Sequence, residues 1–189
     1  MTDTTTPDSD ETTDEQPPGA VVLASGGMDS ATAAYVAIER GYDPHLLHAS
    51  YGQRTEGKEY ECARALAEEI DAADFLRVET SHLARIGGSS LTDDEIDVES
   101  ADETDDEEIP DTYVPFRNAN LLSMAVSYAE ANDCEAIFLG AHSEDFSGYP
   151  DCRPEFFEAF QTVVDVGTKP DTEIEVAAPF VEFSKTDIA

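Results

Sequence analysis

Positive charge is scarce in this chain, and lysine scarcest of all. Of 189 residues only ten are Lys or Arg, against 43 Asp or Glu, a formal net charge of -33. The lysines are Lys58, Lys169 and Lys185. Such a chain does not coat DNA or RNA, because phosphate binding needs clustered cations. Affinity for an anionic membrane surface is excluded on the same ground. Apolar runs of about 18 residues are also missing, so no transmembrane helix is expected. The N-terminus is rich in Thr and Asp and carries no apolar signal segment, which places the protein in the cytoplasm. Cysteine is limited to Cys62, Cys134 and Cys152, with no CxxC pair. Neither a disulfide framework nor a cysteine zinc site is expected within these residues.

What is present suffices for one domain: 40% of the residues are hydrophobic. The acid is uneven. Residues 1–19 read as an acidic disordered tail, with almost nothing to bury. Residues 89–112 carry twelve acids and no base and read as an acidic insert. Outside these segments 25 acids still face all ten bases. Acidic tails alone do not explain that surplus. A halophilic setting does, since molar salt screens charges beyond roughly 3 Å and a carboxylate surface keeps a protein soluble.

Residues 20–24 form a buried strand ending at Ser25-Gly26-Gly27. An Ala-rich helix follows from Asp29 to Arg40, with Gly41 as its stop. Strands are expected at 45–51, 75–78, 136–139 and 174–177. Helices are expected at 56–71, with Ala63, Leu66, Ala67 and Ile70 on one face, and at 118–131, with Leu121, Leu122, Ala125 and Ala129 inward. Another begins at Pro154 and carries Phe156, Phe157, Phe160 and Val164. Ser184 is expected to cap a last helical turn. Apolar strands alternating with helices imply an α/β fold, a doubly wound, mostly parallel sheet with helices on both faces. Its binding crevice lies beyond the carboxyl ends of the strands.

The most informative stretch is Ser25-Gly26-Gly27-Met28-Asp29-Ser30, between strand and helix. Glycine lets the backbone turn sharply and approach an anion closely. The free N–H groups of a helix start point at that anion, and the serine hydroxyls can donate further. With Ala24, this loop is the candidate phosphate site. The spacing is neither Walker A nor a dinucleotide GxGxxG. It resembles the SGGxDS pyrophosphate loop of the PP-loop ATP pyrophosphatase superfamily. That leaves open amide-forming and tRNA-thiolating enzymes, and a non-catalytic adenine-nucleotide-binding module. Tyr51-Gly52-Gln53-Arg54, the stretch from Thr112 to Asn120 and the stretch from Gly140 to Phe156, above all Gly148-Tyr149-Pro150-Asp151-Cys152-Arg153, narrow the choice. In this order they resemble the 7-cyano-7-deazaguanine synthase family, from about residue 20 to the end of the chain. Two positions depart from the family pattern: Phe116 stands where Gly is usual, and Thr55 where His is frequent.

The resemblance implies an ATP-dependent carbon–nitrogen ligase of the archaeosine and queuosine pathways. It would convert 7-carboxy-7-deazaguanine and ammonia to the nitrile through adenylated intermediates, with ATP and Mg²⁺ and without direct contact with nucleic acid. Arg117 and Arg153 are the candidate catalytic forks for carboxylate or phosphate, and Lys185 would neutralise phosphate charge. Asp145 and Asp151 would accept from the guanine-like edge of the substrate. Gln53 and Asn118 would read polar edges, and Arg54 and Tyr149 join them through the resemblance. His142 and Cys152 receive no role. The family also implies a four-cysteine zinc site, which is expected beyond Ala189 in a longer protein. A homodimer is compatible with this reading.

Overall fold

The computed structural model describes residues 16–87, 89, 109, 112–143 and 148–188. Most of the tail, nearly all of the acidic insert and Asp145 lie outside these residues.

Five strands form one parallel sheet: β1 (Gly19–Leu23), β2 (Asp43–Ser50), β3 (Asp74–Glu79), β4 (Cys134–Phe138) and β5 (Glu175–Ala177). Their spatial order is β3-β2-β1-β4-β5, and every pair is parallel. The helices are α1 (Met28–Glu39), α2 (Glu56–Glu69), α3 (Ser81–Ile86), α4 (Arg117–Ala131), α5 (Pro154–Gly167) and the single turn α6 (Lys185–Ile188). A turn of 3-10 helix at Pro150–Cys152 leads into α5. The expected elements are all present, with ends displaced by one or two residues. The short α3 and the 3-10 turn were not expected. Six and three residues are too few to display a helical period.

Successive strand residues point to opposite faces. Ala20, Val22, Leu46, Ala136 and Phe138 therefore meet α1 and α2, through Ala33, Ala34, Ala37, Ala63, Leu66 and Ala67. Val21, Leu47 and Ile137 meet α4 and α5, through Leu122, Ala125, Ala129, Phe157 and Val164. Burial on both faces is why the strands read as continuous apolar runs. The small side chains on α1 let that helix lie close to the sheet.

Gly41 ends α1 as expected, with φ +89°. The N–H of Tyr42 reaches the Ala37 carbonyl and that of Gly41 the Ile38 carbonyl, a Schellman pairing. Asp71 and Asp133 take the same left-handed position after α2 and α4. Aspartate tolerates it better than most residues. The expected cap at Ser184 works in reverse. The Ser184 hydroxyl and N–H both donate to Asp187. The carboxylate is the stronger acceptor, so the hydroxyl donates rather than capping a backbone N–H. Among the described residues no helix is long and apolar enough to cross a membrane.

Candidate active site at the point where the strand order reverses

Chain order runs outward from β1 in both directions, so the crevice between the carboxyl ends of β1 and β4 is where a doubly wound sheet takes its ligand. A cavity of about 370 Å³ opens there. It is lined by Ala24, Ser25, Asp29 and Ser30 from the first loop, Tyr51 and Gln53 from the loop after β2, and Arg117 and Asn118 from α4. Gly140, Ala141 and His142 after β4, Cys152 and Lys185 complete it, with Glu59 and Leu121. A larger groove of about 1000 Å³ lies where β4 and β5 begin, lined by Glu130, Asp133, Glu135, Asp165 and Glu173. Its carboxylates repel anions, so it does not suit a nucleotide.

The loop has the form an anion site needs. Gly26 has φ +82°, and a Cβ there would lie 2.3 Å from the Glu59 carbonyl oxygen, so only glycine fits. Gly27 is extended, and a Cβ would meet only Ser25 Oγ at 3.4 Å. Of the two glycines, Gly26 is thus demanded by the fold, while Gly27 leaves open space. Ser25 Oγ donates to Ser30 Oγ (3.1 Å), which donates to the Gly27 carbonyl (2.9 Å). The hydroxyls that were expected to face a ligand also brace their own loop. The first-turn N–H groups of α1 have no intrahelical acceptor and remain for an anion. Among the described residues, one carboxylate oxygen of Asp29 is buried without a hydrogen-bond partner. It fits a Mg²⁺ carried in on substrate phosphates, an ion that takes one or two carboxylates.

Gly140 lines the cavity; it opens one of the stretches that carry the resemblance, but it was given no role of its own. A Cβ on Gly140 would sit 2.6 Å from the Asp29 carbonyl carbon and 2.8 Å from the Ser30 nitrogen. The end of β4 thus touches the first turn of α1.

Arg117 opens α4 and is half-buried in the lining, its Nη1 3.4 Å from Tyr51 Oη. Burial works to lower its pKa, but Tyr51, Cys152 and Asp151 together raise it, and the guanidinium stays charged. Asp151 is buried and accepts from the Asn118 N–H at 2.7 Å. Asn118 in turn donates to the Asp151 carbonyl (3.1 Å) and to Cys152 Sγ (3.0 Å). Burial raises the Asp151 pKa above the ordinary carboxylate value, against the lowering by Asn118 and Arg117. Asp151 therefore seats Asn118 through one carboxylate oxygen, and it is not among the residues that line the cavity. The residue before Arg117, Phe116, holds φ +58° and is exposed.

Of the candidate residues, Ala24, Ser25, Asp29, Ser30, Gln53, Arg117, Asn118 and Lys185 meet around one cavity. Arg153 is exposed at the N-cap of α5, and Arg54 is exposed after β2; neither lines the cavity. Tyr149 stacks on Tyr113 at 5.8 Å and bonds Thr112, outside the lining. Gln53 Nε2 donates to Glu59 at 2.9 Å. His142 and Cys152 stand in the wall although the sequence reading set them aside; His142 Nε2 is 3.7 Å from Asp29. Among the described residues no group of three or more His, Cys, Asp or Glu side chains is placed to hold a metal ion by itself.

A family model described as queuosine biosynthesis protein QueC matches residues 19–189. A 7-cyano-7-deazaguanine synthase of Haloarcula marismortui is 75% identical over 171 residues, 90% of this chain and 73% of that protein. One of Methanoculleus marisnigri is 57% identical over 169 residues, 89% of this chain and 76% of that protein. Among solved structures, a 4-thiouridine synthetase in complex with RNA and ATP aligns with TM-score 0.56 at 17% identity. It covers 90% of this chain and 39% of that one, a likeness of fold alone.

Proposed function

The chain belongs to the QueC family, and on that premise we propose that it is an ATP-dependent ligase converting 7-carboxy-7-deazaguanine and ammonia to 7-cyano-7-deazaguanine. The observation that carries this reading to the chain's own residues is the convergence of the Ser25–Ser30 loop, Arg117, Asn118 and Lys185 on one cavity.

A free carboxylate has no leaving group, and adenylation supplies one. The substrate carboxylate attacks the α-phosphate of ATP, releasing pyrophosphate and leaving an acyl adenylate. Ammonia displaces AMP to give the amide. Adenylation of the amide oxygen and loss of a second AMP then give the nitrile. The chain contributes positioning and charge stabilisation rather than covalent chemistry. The first-turn N–H groups of α1 receive phosphate oxygens, and Asp29 would hold the Mg²⁺ that accompanies the phosphates, which would neutralise part of their charge. Arg117, fixed beside Tyr51 and always charged, pairs with the carboxylate or the departing phosphate. Lys185, also in the lining, offsets phosphate charge. Asn118, seated by Asp151, reads a polar edge of the substrate. The family's four-cysteine zinc site has no counterpart among the described residues, where Cys62, Cys134 and Cys152 stand on separate elements.

Gly27 offers the cleanest test. Its surroundings accept a Cβ, so Gly27→Val should fold like the parent while obstructing the approach of phosphate. Calorimetry should show ATP affinity reduced about tenfold or more with an unchanged melting temperature. Mass spectrometry of the parent with ATP, Mg²⁺, ammonium and the acid should show the cyano product. Unaltered ATP affinity in the variant would place the nucleotide elsewhere.

A further inference from the structure

His48 is fully buried, yet nothing in the chemistry above uses it. It stands on β2 on the same face as Leu46, among the apolar side chains that cover α1 and α2. Its ring lies 5.7 Å from that of Tyr60 on α2. Its Nδ1 is 2.8 Å from the carbonyl oxygen of Ala24. A carbonyl only accepts, so Nδ1 carries the proton. Nε2 is buried and has no hydrogen-bond partner among the described residues. An unsatisfied ring nitrogen is costly to bury. Leucine, of comparable volume, would fill the space without that cost. What the imidazole supplies that leucine does not is the single bond to Ala24.

Ala24 is the hinge between strand and loop. The register of β1 with β2 ends at Leu23 opposite Leu47, and the Ala24 N–H still reaches the Leu47 carbonyl at 2.9 Å. Beyond it the backbone leaves the sheet, and its carbonyl is taken by the His48 side chain. Two residues on, Gly26 rests against the Glu59 carbonyl, beside Tyr60. The loop is thereby held from beneath at both ends of its turn. The orientation of the Ala24 carbonyl sets the plane of the Ala24–Ser25 peptide, and with it the direction in which the loop sets out.

We propose that His48 is a positioning residue for the phosphate loop: its Nδ1–H fixes the Ala24 carbonyl, so that the loop is organised before ATP arrives. The proposal rests on the ATP-binding reading above. It makes donor chemistry at this point matter to the nucleotide and not to the second substrate.

Two substitutions separate the hydrogen bond from packing. His48→Leu keeps the volume and loses the donor. His48→Asn keeps an N–H on the same side-chain branch and leaves a void. Calorimetric titration of the full chain with ATP·Mg²⁺ and, separately, with 7-carboxy-7-deazaguanine would accompany a thermal melt of each variant. The expected result is ATP affinity reduced about tenfold in His48→Leu, near the parent's in His48→Asn, and acid affinity unchanged in both. Thermal stability should run the other way, with the Asn variant melting below the Leu variant. A role in core filling alone would make affinity follow stability and would overturn the proposal. So would parental ATP affinity in His48→Leu, or equal losses in the two variants. A parent chain that does not bind ATP would overturn the functional reading and this proposal together, and would be seen before any variant is made.

Discussion

Asp151 shows how much one buried carboxylate decides. Its oxygen seats Asn118, and burial raises its pKa. A carboxyl whose folded-state value lies above the unfolded one adds stability that is complete below the ordinary value of 3.8. That stability is lost as pH rises through the folded value. At neutral pH the ionised group therefore subtracts from stability. Asp151→Asn keeps an oxygen for the Asn118 N–H and removes the charge. It should melt no lower than the parent at pH 7, and its advantage should shrink as pH falls through the folded-state value. A variant that melts lower at pH 7 would mean that attraction to Arg117 outweighs desolvation. Phe116 is a different local conflict. A left-handed conformation costs a bulky residue roughly 1–2 kcal/mol, offset here in part by its edge-on contact with Phe156 at 6.3 Å.

At the scale of elements, the contact between the end of β4 and the start of α1 ties the sheet to the loop and first helical turn that carry Asp29 and Ser30. Gly140→Ala would press a methyl group into the Asp29–Ser30 backbone. The expected cost is about 1–3 kcal/mol of overpacking, with weakened ATP binding because the first turn of α1 must shift. Gly57 is the control. It lies in α2 with nothing within 4 Å of its would-be Cβ. Gly57→Ala should stabilise by about 0.5–1 kcal/mol and leave ATP binding unchanged. Urea unfolding and calorimetry on the two variants make the comparison. Equal behaviour would mean that the end of β4 yields without moving α1. The alternative ends of α1 and α2 follow the same physics: Gly41 takes the left-handed cap freely, and Asp71 takes it at some cost.

The whole molecule carries its charge without the cations to pair it. A formal charge of -33 gives strong self-repulsion in dilute buffer. At molar salt the screening length falls to roughly 3 Å. The melting temperature should therefore rise by about 10 °C between dilute and molar KCl, a gain of roughly 3 kcal/mol for a domain of this size. A flat or falling curve would remove the case for adaptation to salt and leave the enzymatic reading standing.

Much of this was legible before any fold was seen. Apolar runs such as residues 20–24 declare buried parallel strands because both of their faces meet helices, and a side chain's hydropathy is local information. The same is true of the Ser25–Ser30 loop, whose glycines and position mark a tight turn between strand and helix, and of Gly41. Other features depend on what lies across the molecule. Arg117 and Arg153 are the same residue type in similar-looking loops, yet one is sunk in the cavity wall and the other faces solvent. Gly140 looks dispensable until it is known that a Cβ there would lie 2.6 Å from the start of the helix. That Asp151 holds Asn118 is not visible until the fold brings the two together. His48 reads as one more strand residue until its nitrogen meets Ala24. Strand and helix periods come from neighbours in the chain and can be read there, whereas steric closeness, burial of charge and hydrogen-bond partners arise between distant segments and exist only once the sheet has brought them together.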